Sequence, residues 1–320
     1  MSRRPTPGGG RFRPLLAAGI AVLAVATAVS WWSGRVRGFA VTPDSDRNVL
    51  LITIDTLRAD AMSTYGGRAS TPHLDALAAR GARFTFAHAH AVVTLPSHTS
   101  ILTGRYPYEH GVRDNNGYRV TTTTETLATK LKALGFATGA FVGGFPLDQR
   151  FGLNAGFDTY DDRIGETGST VDFALPERRA DAVVASALGW IGVQPSKWFG
   201  WVHVFDPHAP YQAPEEFARR YPGDPYAGEI AWTDYALGPL LDRLASLPRK
   251  TLVIVTADHE TGGLTLLDGN LKTGYVDGQF STGDHTGIMV PVFAYGPHSL
   301  DFRGVYENTE IYQKMRKVLK

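Results

Sequence analysis

The chain has 320 residues, 43% hydrophobic and 20% charged, which excludes a disordered polymer and suits one large α/β domain. Lys plus Arg number 32 against 31 Asp plus Glu, and the net charge of +1 offers no electrostatic case for a nucleic-acid partner. Cysteine is absent, so disulfides, thiolate metal sites and Cys nucleophiles are ruled out, and any metal must be held by His, Asp and Glu.

The near-neutral total hides two unlike parts. Residues 1–40 hold six Arg and no acid, whereas residues 41–320 carry 26 basic against 31 acidic groups, a net of −5. Arg11 and Arg13 precede an apolar run, Leu15 to Val29, followed by Trp31 and Trp32. A basic flank, an apolar stretch and interfacial Trp together predict a signal peptide or N-terminal membrane anchor over residues 15–32, with an exported catalytic body in residues 41–320, periplasmic, extracellular or membrane-anchored. The run is short for a span of ~20 residues. Arg35 and Arg37 beyond it favour an uncleaved anchor, and residues 33–47 read as a linker.

In the body, Asn48–Asp55 (NVLLITID) is a run of buried-strand type ending in an acid. Thr71–Gly81 predicts a helix, with Thr71 as N-cap, Pro72 at its first position and Gly81 as stop. Leu95–Thr103 predicts a short helix capped by Thr94 and stopped by Gly104. Thr124–Gly135 reads as a helix and Phe136–Val142 as a strand. Trp198–Phe205 is a third strand, ending at Asp206, and Gly228–Ser246 a long helix. Thr251–Ala257 is a fourth strand, ending at Asp258-His259, and Val290–Tyr295 a fifth. Helices alternating with apolar strands predict a three-layer α/β/α sandwich on a mostly parallel sheet, with its site beyond the strands' carboxyl ends.

Asp55, Asp206, Asp258 and His259 all fall at such ends, and His285 just precedes the fifth strand. A lone acid there caps a helix as readily as it binds an ion. Several Asp/His clusters on one sheet are harder to explain as caps and suit a cation held by carboxylate oxygen and imidazole nitrogen. Thr94 presents a hydroxyl at a helix N-terminus, where free N–H groups favour an anion, although a free alcohol needs a base or metal to become nucleophilic.

Over residues 48–320 the chain resembles the alkaline phosphatase superfamily. NVLLITIDTLRAD, TLPSHTSILTGRYPYEHGVRDN, FGLNAGFDTYDD and HVFDPHAPY are similar to sulfatase segments, whereas VTADHETGG, GDHTGIMVPVFAYGP and YENTEIY are close to alkaline phosphatases. The resemblance implies that Asp55, Asp258 and His259 hold one metal, with Thr94 as fourth ligand and nucleophile. It further implies a second zinc at His285, Asp206 and His208, with Mg2+ or Ca2+ as alternative ions. His208 is also placed where sulfatases carry a substrate-contacting His, and Asn115 resembles an Asn that contacts a phosphoryl oxygen. Three departures separate the chain from sulfatases. Thr94 stands where they carry the Cys or Ser that becomes formylglycine, with His98 at the Arg position of that motif. Thr56 replaces an acid after Asp55, and Val142–Pro146 (VGGFP) lacks the Lys and His of a sulfate-binding segment. On these grounds the expected activity is a di-zinc phosphoric ester hydrolase, mono- or diesterase, with a phospho-threonine intermediate and a small-molecule substrate. The alternatives are a sulfuric ester hydrolase, a phosphoethanolamine-type transferase and a non-catalytic metal-binding module.

Overall fold

The computed structural model describes residues 46–164, 176–247, 250–270, 272–273 and 275–319. The expected leader at residues 15–32 lies outside them. Among the described residues no helix is long and apolar enough to cross a membrane.

The sheet is built from short apolar runs. β1 (Asn48–Ile54), α1 (Pro72–Arg80), β2 (Ala82–Arg83), α2 (Thr94–Thr103), α3 (Pro107–His110), α4 (Leu127–Ala133), β3 (Ala137–Val142) and β4 (Thr159–Asp161) form the first half. α5 (Ala180–Gly192), β5 (Trp198–Val204), α6 (Glu215–Ala218), α7 (Pro225–Ala245) and β6 (Thr251–Ala257) follow. β7 (Glu260–Thr261), β8 (Leu264–Asn270), β9 (Tyr275–Phe280), β10 (His285–Thr286), β11 (Val292–Tyr295) and α8 (Glu310–Val318) complete the chain. Seven strands pair in the order β2-β11-β6-β1-β5-β3-β4. From β6 to β4 the pairing is parallel, and β11 runs antiparallel to both β6 and β2. The mostly parallel sheet expected from the sequence is therefore present, with one reversed strand near its edge.

Strand alternation divides the core in two. Leu50, Ile52 and Ile54 of β1 and Val253, Val255 and Ala257 of β6 pack with α1, α5 and α7. Val49 and Leu51 of β1, Leu252 and Ile254 of β6, and Phe199 and Trp201 of β5 pack with α2, α4 and α8 on the opposite face. The parity carries a consequence for the site. Thr53 of β1, and Trp201 and His203 of β5, continue the odd-numbered series and lie beneath α2.

Several elements differ from expectation for local reasons. α2 starts at Thr94 itself, with extended Val93 in the capping position, so Thr94 belongs to the first helical turn. The helix expected from Thr124 begins only at Leu127. Thr121 and Thr124 bond each other and close a turn, and Thr126 takes the cap by accepting from Thr129 N–H. α7 starts earlier than expected because Asp224 accepts from Ala227 N–H and Pro225 fits the first turn. α5, the β8–β9 hairpin and α8 are additions to the predicted set. Gly104 stops α2 in a left-handed conformation (φ 64°), and a Cβ there would stand 2.5 Å from the Tyr312 ring of α8.

Candidate metal centre and active site

Asp55 follows β1, and its N–H extends the ladder to Val204 O at 3.0 Å. Asp258 and His259 follow the neighbouring β6. Parallel pairing with matched ends brings these residues together: one ligand atom from each of Asp55, Asp258 and His259 lies within 4.8 Å of the others. All three side chains are fully buried.

The polar atoms of this group are left open. Both carboxylate oxygens of Asp55, Oδ2 of Asp258 and Nε2 of His259 have no hydrogen-bond partner. Asp258 Oδ1, by contrast, accepts from His259 N–H at 2.9 Å and Thr56 N–H at 3.3 Å. His259 Nδ1 lies 3.2 Å from Glu260 O, a carbonyl that can only accept, so the ring carries its proton on Nδ1 and turns a bare Nε2 inward. Unpaired buried donors and acceptors are costly, and their convergence on one point is what a cation site requires. The ionisation of the pair shows the same strain. Burial opposes ionisation of Asp55, but the His203 ring against it and the neighbouring His208 and His259 rings hold its carboxyl below the usual range. Burial and the Asp55 charge then push Asp258 up to about 6.

Thr56 holds a left-handed conformation (φ 53°), an outlier for a β-branched residue, at a cost on the order of 1–3 kcal/mol. Its N–H on Asp258 and its Oγ1, which donates to Pro207 O at 3.1 Å, hold it there. Thr94 is buried in the first turn of α2. That turn is tied to the metal group, because Ser97 Oγ donates to Asp258 O and His98 Nδ1 stands 2.8 Å from Thr94 O and 3.8 Å from Asp258 Oδ2.

The remaining expected residues fall elsewhere or take other partners. Asn115 Oδ1 accepts from Leu95 N–H at 2.8 Å, which ties the side chain to the first turn of α2. His285 Nδ1 lies 3.1 Å from Val92 O, and its ring centroid is 4.2 Å from that of His259 and 5.6 Å from that of His208. Burial and the neighbouring His259 lower the His285 pKa, and an Nδ1–H donated to Val92 O leaves Nε2 bare. His208 stacks on Phe205 at 4.4 Å, with Nδ1 2.6 Å from Ala209 O. Asp206 turns to the N-terminus of α5 and accepts from Ala180 N–H at 2.9 Å. Among the described residues, Asp206, His208 and His285 form no second metal-holding group.

Two buried histidines, His203 at the head of the segment HVFDPHAPY and His98 in α2, stand outside the expected ligand set. His203 Nε2 lies 3.3 Å from Asp55 Oδ2, and the His98 ring packs on His203 at 4.8 Å. Strand parity was the available signal: in WFGWVHV, His203 shares the face of Phe199 and Trp201.

The family model described as Sulfatase matches residues 47–303. An N-acetylgalactosamine-6-O-sulfatase of Bacteroides thetaiotaomicron is 38% identical over 97 residues, covering 29% of this chain and 19% of that protein. An arylsulfatase of Klebsiella aerogenes is 27% identical over 217 residues, covering 55% of this chain and 46% of its own length. The chain thus spans less than half of these curated relatives. Two solved structures share the fold at 20% identity. One is Ps i-CgsB in complex with a neocarrahexaose (TM-score 0.65, covering 85% of this chain and 72% of that one). The other is the phosphonate monoester hydrolase of Agrobacterium radiobacter (TM-score 0.59, 78% and 68%).

These matches overturn the expectation of phosphoric ester hydrolysis, because the family model and the named curated relatives are sulfatases. The expectation leaned on departures at Thr94, Thr56 and Val142–Pro146. Those residues describe the nucleophile and its surroundings. Sulfate and phosphate esters present the same tetrahedral shape, so a nucleophile's identity does not choose between them, and the charge the whole site balances does.

Proposed function

We propose that this chain, which belongs to the sulfatase family, hydrolyses sulfate esters with one divalent cation held by Asp55, Asp258 and His259. The family match across residues 47–303 carries the proposal, since that span contains all three ligands and Thr94. The donors suit such an ion: the Asp55 oxygens, Asp258 Oδ2 and the bare His259 Nε2 have no hydrogen-bond partner, and one ligand atom from each residue lies within 4.8 Å of the others. When bound, the ion neutralises the buried carboxylate pair and draws negative charge from the sulfate oxygens.

With no cysteine in the chain and Thr94 at the head of α2, the nucleophile is an alcohol. Thr94 Oγ attacks sulfur, and the bond from sulfur to the ester oxygen breaks. The Thr94 proton passes to a neutral imidazole, for which His285 Nε2 is suited because Nδ1–H is committed to Val92 O. The departing alkoxide takes a proton from solvent water and leaves as the alcohol. Water then cleaves the sulfo-threonine, releasing sulfate and restoring Thr94. Asn115 serves this step indirectly by satisfying Leu95 N–H and so fixing the first turn of α2.

The test is a panel of nitrophenyl sulfate, phosphate monoester and phosphate diester, together with 6-sulfated hexosamines, on metal-analysed protein. Sulfate-ester turnover that chelation abolishes and added metal restores is the expected result. A preference for phosphate esters, or full activity of Thr94→Ala in metal-replete protein, overturns the proposal.

A further inference from the structure

We infer that Trp201, Thr53 and His98 form a one-way hydrogen-bond chain through the core that fixes the first residue of α2, with His98 held as the neutral Nδ1–H tautomer. Its consequence for catalysis rests on Thr94 as nucleophile, whereas its geometry does not.

The direction follows from what each group can do. Trp201 Nε1 can only donate, and it lies 3.0 Å from Thr53 Oγ1. Thr53 therefore gives one lone pair to the indole and keeps its single proton for another acceptor. His98 Nε2 stands 3.0 Å away on its other side. The second ring nitrogen, Nδ1, is 2.8 Å from Thr94 O, which can only accept. An obligate donor at one end and an obligate acceptor at the other leave one consistent assignment. The indole donates to Thr53, Thr53 O–H donates to Nε2, and Nδ1–H donates to the Thr94 carbonyl. The opposite tautomer would set a bare Nδ1 against a carbonyl oxygen. A doubly protonated ring would turn the Thr53 proton away from its nearest acceptor, and burial with His203 alongside drives His98 well below its ordinary pKa.

The chain sits where it can act on both halves of the site. His98, Thr53, Trp201 and His203 are all fully buried. His98 touches the Thr94 carbonyl directly, and its Nδ1 is 3.8 Å from Asp258 Oδ2. Through the edge-on contact with His203 it also braces the ring beside Asp55. Thr53 and Trp201 offer a hydroxyl and an indole, which suit a neutral imidazole. His98 is thus a positioning residue, and Thr53 and Trp201 set its tautomer.

Imidazole nitrogen NMR on the 15N-labelled full chain, metal-free and metal-loaded, tests the assignment directly. His98 is expected to carry its proton on Nδ1 and a bare Nε2 in both forms. Thr53→Val matches Thr in shape and lacks the hydroxyl. It is expected to lower kcat on a sulfate ester by about tenfold with KM changed less than about twofold, the pattern of an arrangement that matters in the transition state. Thr53→Ser restores the hydroxyl and should recover kcat to within about threefold of the parent. A proton on Nε2 in the parent protein overturns the chain, as does Thr53→Val with unchanged kcat or Thr53→Ser as impaired as Thr53→Val. Should the parent hydrolyse no sulfate ester, the nucleophile assignment fails and the NMR still decides the tautomer.

Discussion

Two strands that flank β1 on either side, β6 and β5, are each followed by an Asp and a His, and the two ends do different things. After β6, Asp258 and His259 keep Oδ2 and Nε2 free, and both point into the group shared with Asp55. After β5, Asp206 has spent Oδ2 on the first amide of α5, and His208 stacks on Phe205. Residue types and placement on the sheet are alike. What separates them is that after β6 one carboxylate oxygen and one ring nitrogen stay unpartnered beside Asp55, although Asp258 Oδ1 accepts from two backbone amides. An Asp/His pattern at a strand end marks a ligand set only when those atoms are left without partners.

The most damaging test of this contrast is Asp258→Asn. Removing one carboxylate from a three-residue group should empty the metal site. Activity on sulfate esters should fall by more than about 100-fold, since loss of even an outer partner of a metal ligand costs 10–100-fold. Elemental analysis and turnover of the purified variant check it. Retained metal with retained activity would break the contrast at its stronger end.

Metal removal gives the next largest effect, and its pH dependence has a definite sign. Burial and Asp55 raise the folded-state pKa of Asp258 to about 6 from an ordinary 3.8. Between about pH 4 and 6 the folded metal-free protein therefore binds more protons than the unfolded chain, and its stability falls as pH rises through that window. Asp55, held low by the rings around it, acts in the opposite sense only below its ordinary range. The metal-free protein should lose Tm from pH ~4 to ~6, and added divalent ion should restore it above pH ~6. Asp258→Asn should flatten this slope. A metal-free melting curve flat across the window, or rising, would contradict the account of the pair.

The β5 side carries its own buried acid. Glu229 of α7 accepts from Gln212 N–H, and burial with the Asp206 and Glu177 charges pushes it up to about 8 despite that bond and Arg179. Its contribution likewise declines as pH rises, here from about 5 to 8. In metal-loaded protein, Glu229→Gln should remove that decline and leave metal content unchanged. Thermal melts across the window measure it, and a pH slope identical to the parent's would sink the assignment.

How far the sequence reached follows the same division. β1 and β6 were legible because their apolar runs end abruptly in acids, and Thr71-Pro72 and Gly104 mark helix ends by local chemistry. The joint burial of Asp55, Asp258 and His259 follows once those strands are adjacent and parallel. α5 was missed because its all-round apolar sequence, ADAVVASALGWIG, lacks the one-sided periodicity of a surface helix. Thr53, His98 and His203 were missed as a layer because Thr53 and His203 are single polar residues in apolar strands and His98 is one of several polar residues in TLPSHTSILT. Their partnership depends on α2 lying over the odd-numbered face of β1 and β5. The partners of Asp206 and Asn115 are equally non-local, at Ala180 and Leu95.

The smallest expected effect is the one that isolates the principle. Asp206→Asn makes the same chemical change as Asp258→Asn, one oxygen and one charge, beyond the strand on the other side of β1. The amide oxygen can still accept from Ala180 N–H, so the cap on α5 survives, and relief from Glu177 and Glu229 offsets what the lost charge gave to the helix terminus. Stability should change by less than about 1 kcal/mol, the scale of a single helix cap. Metal content should match the parent within error, because no ligand has been altered. Equal metal loss in the two variants would mean that Asp206 reaches the ion after all. Full loading of one beside an empty site in the other would show that free lone pairs, rather than residue type or strand end, make the ligand.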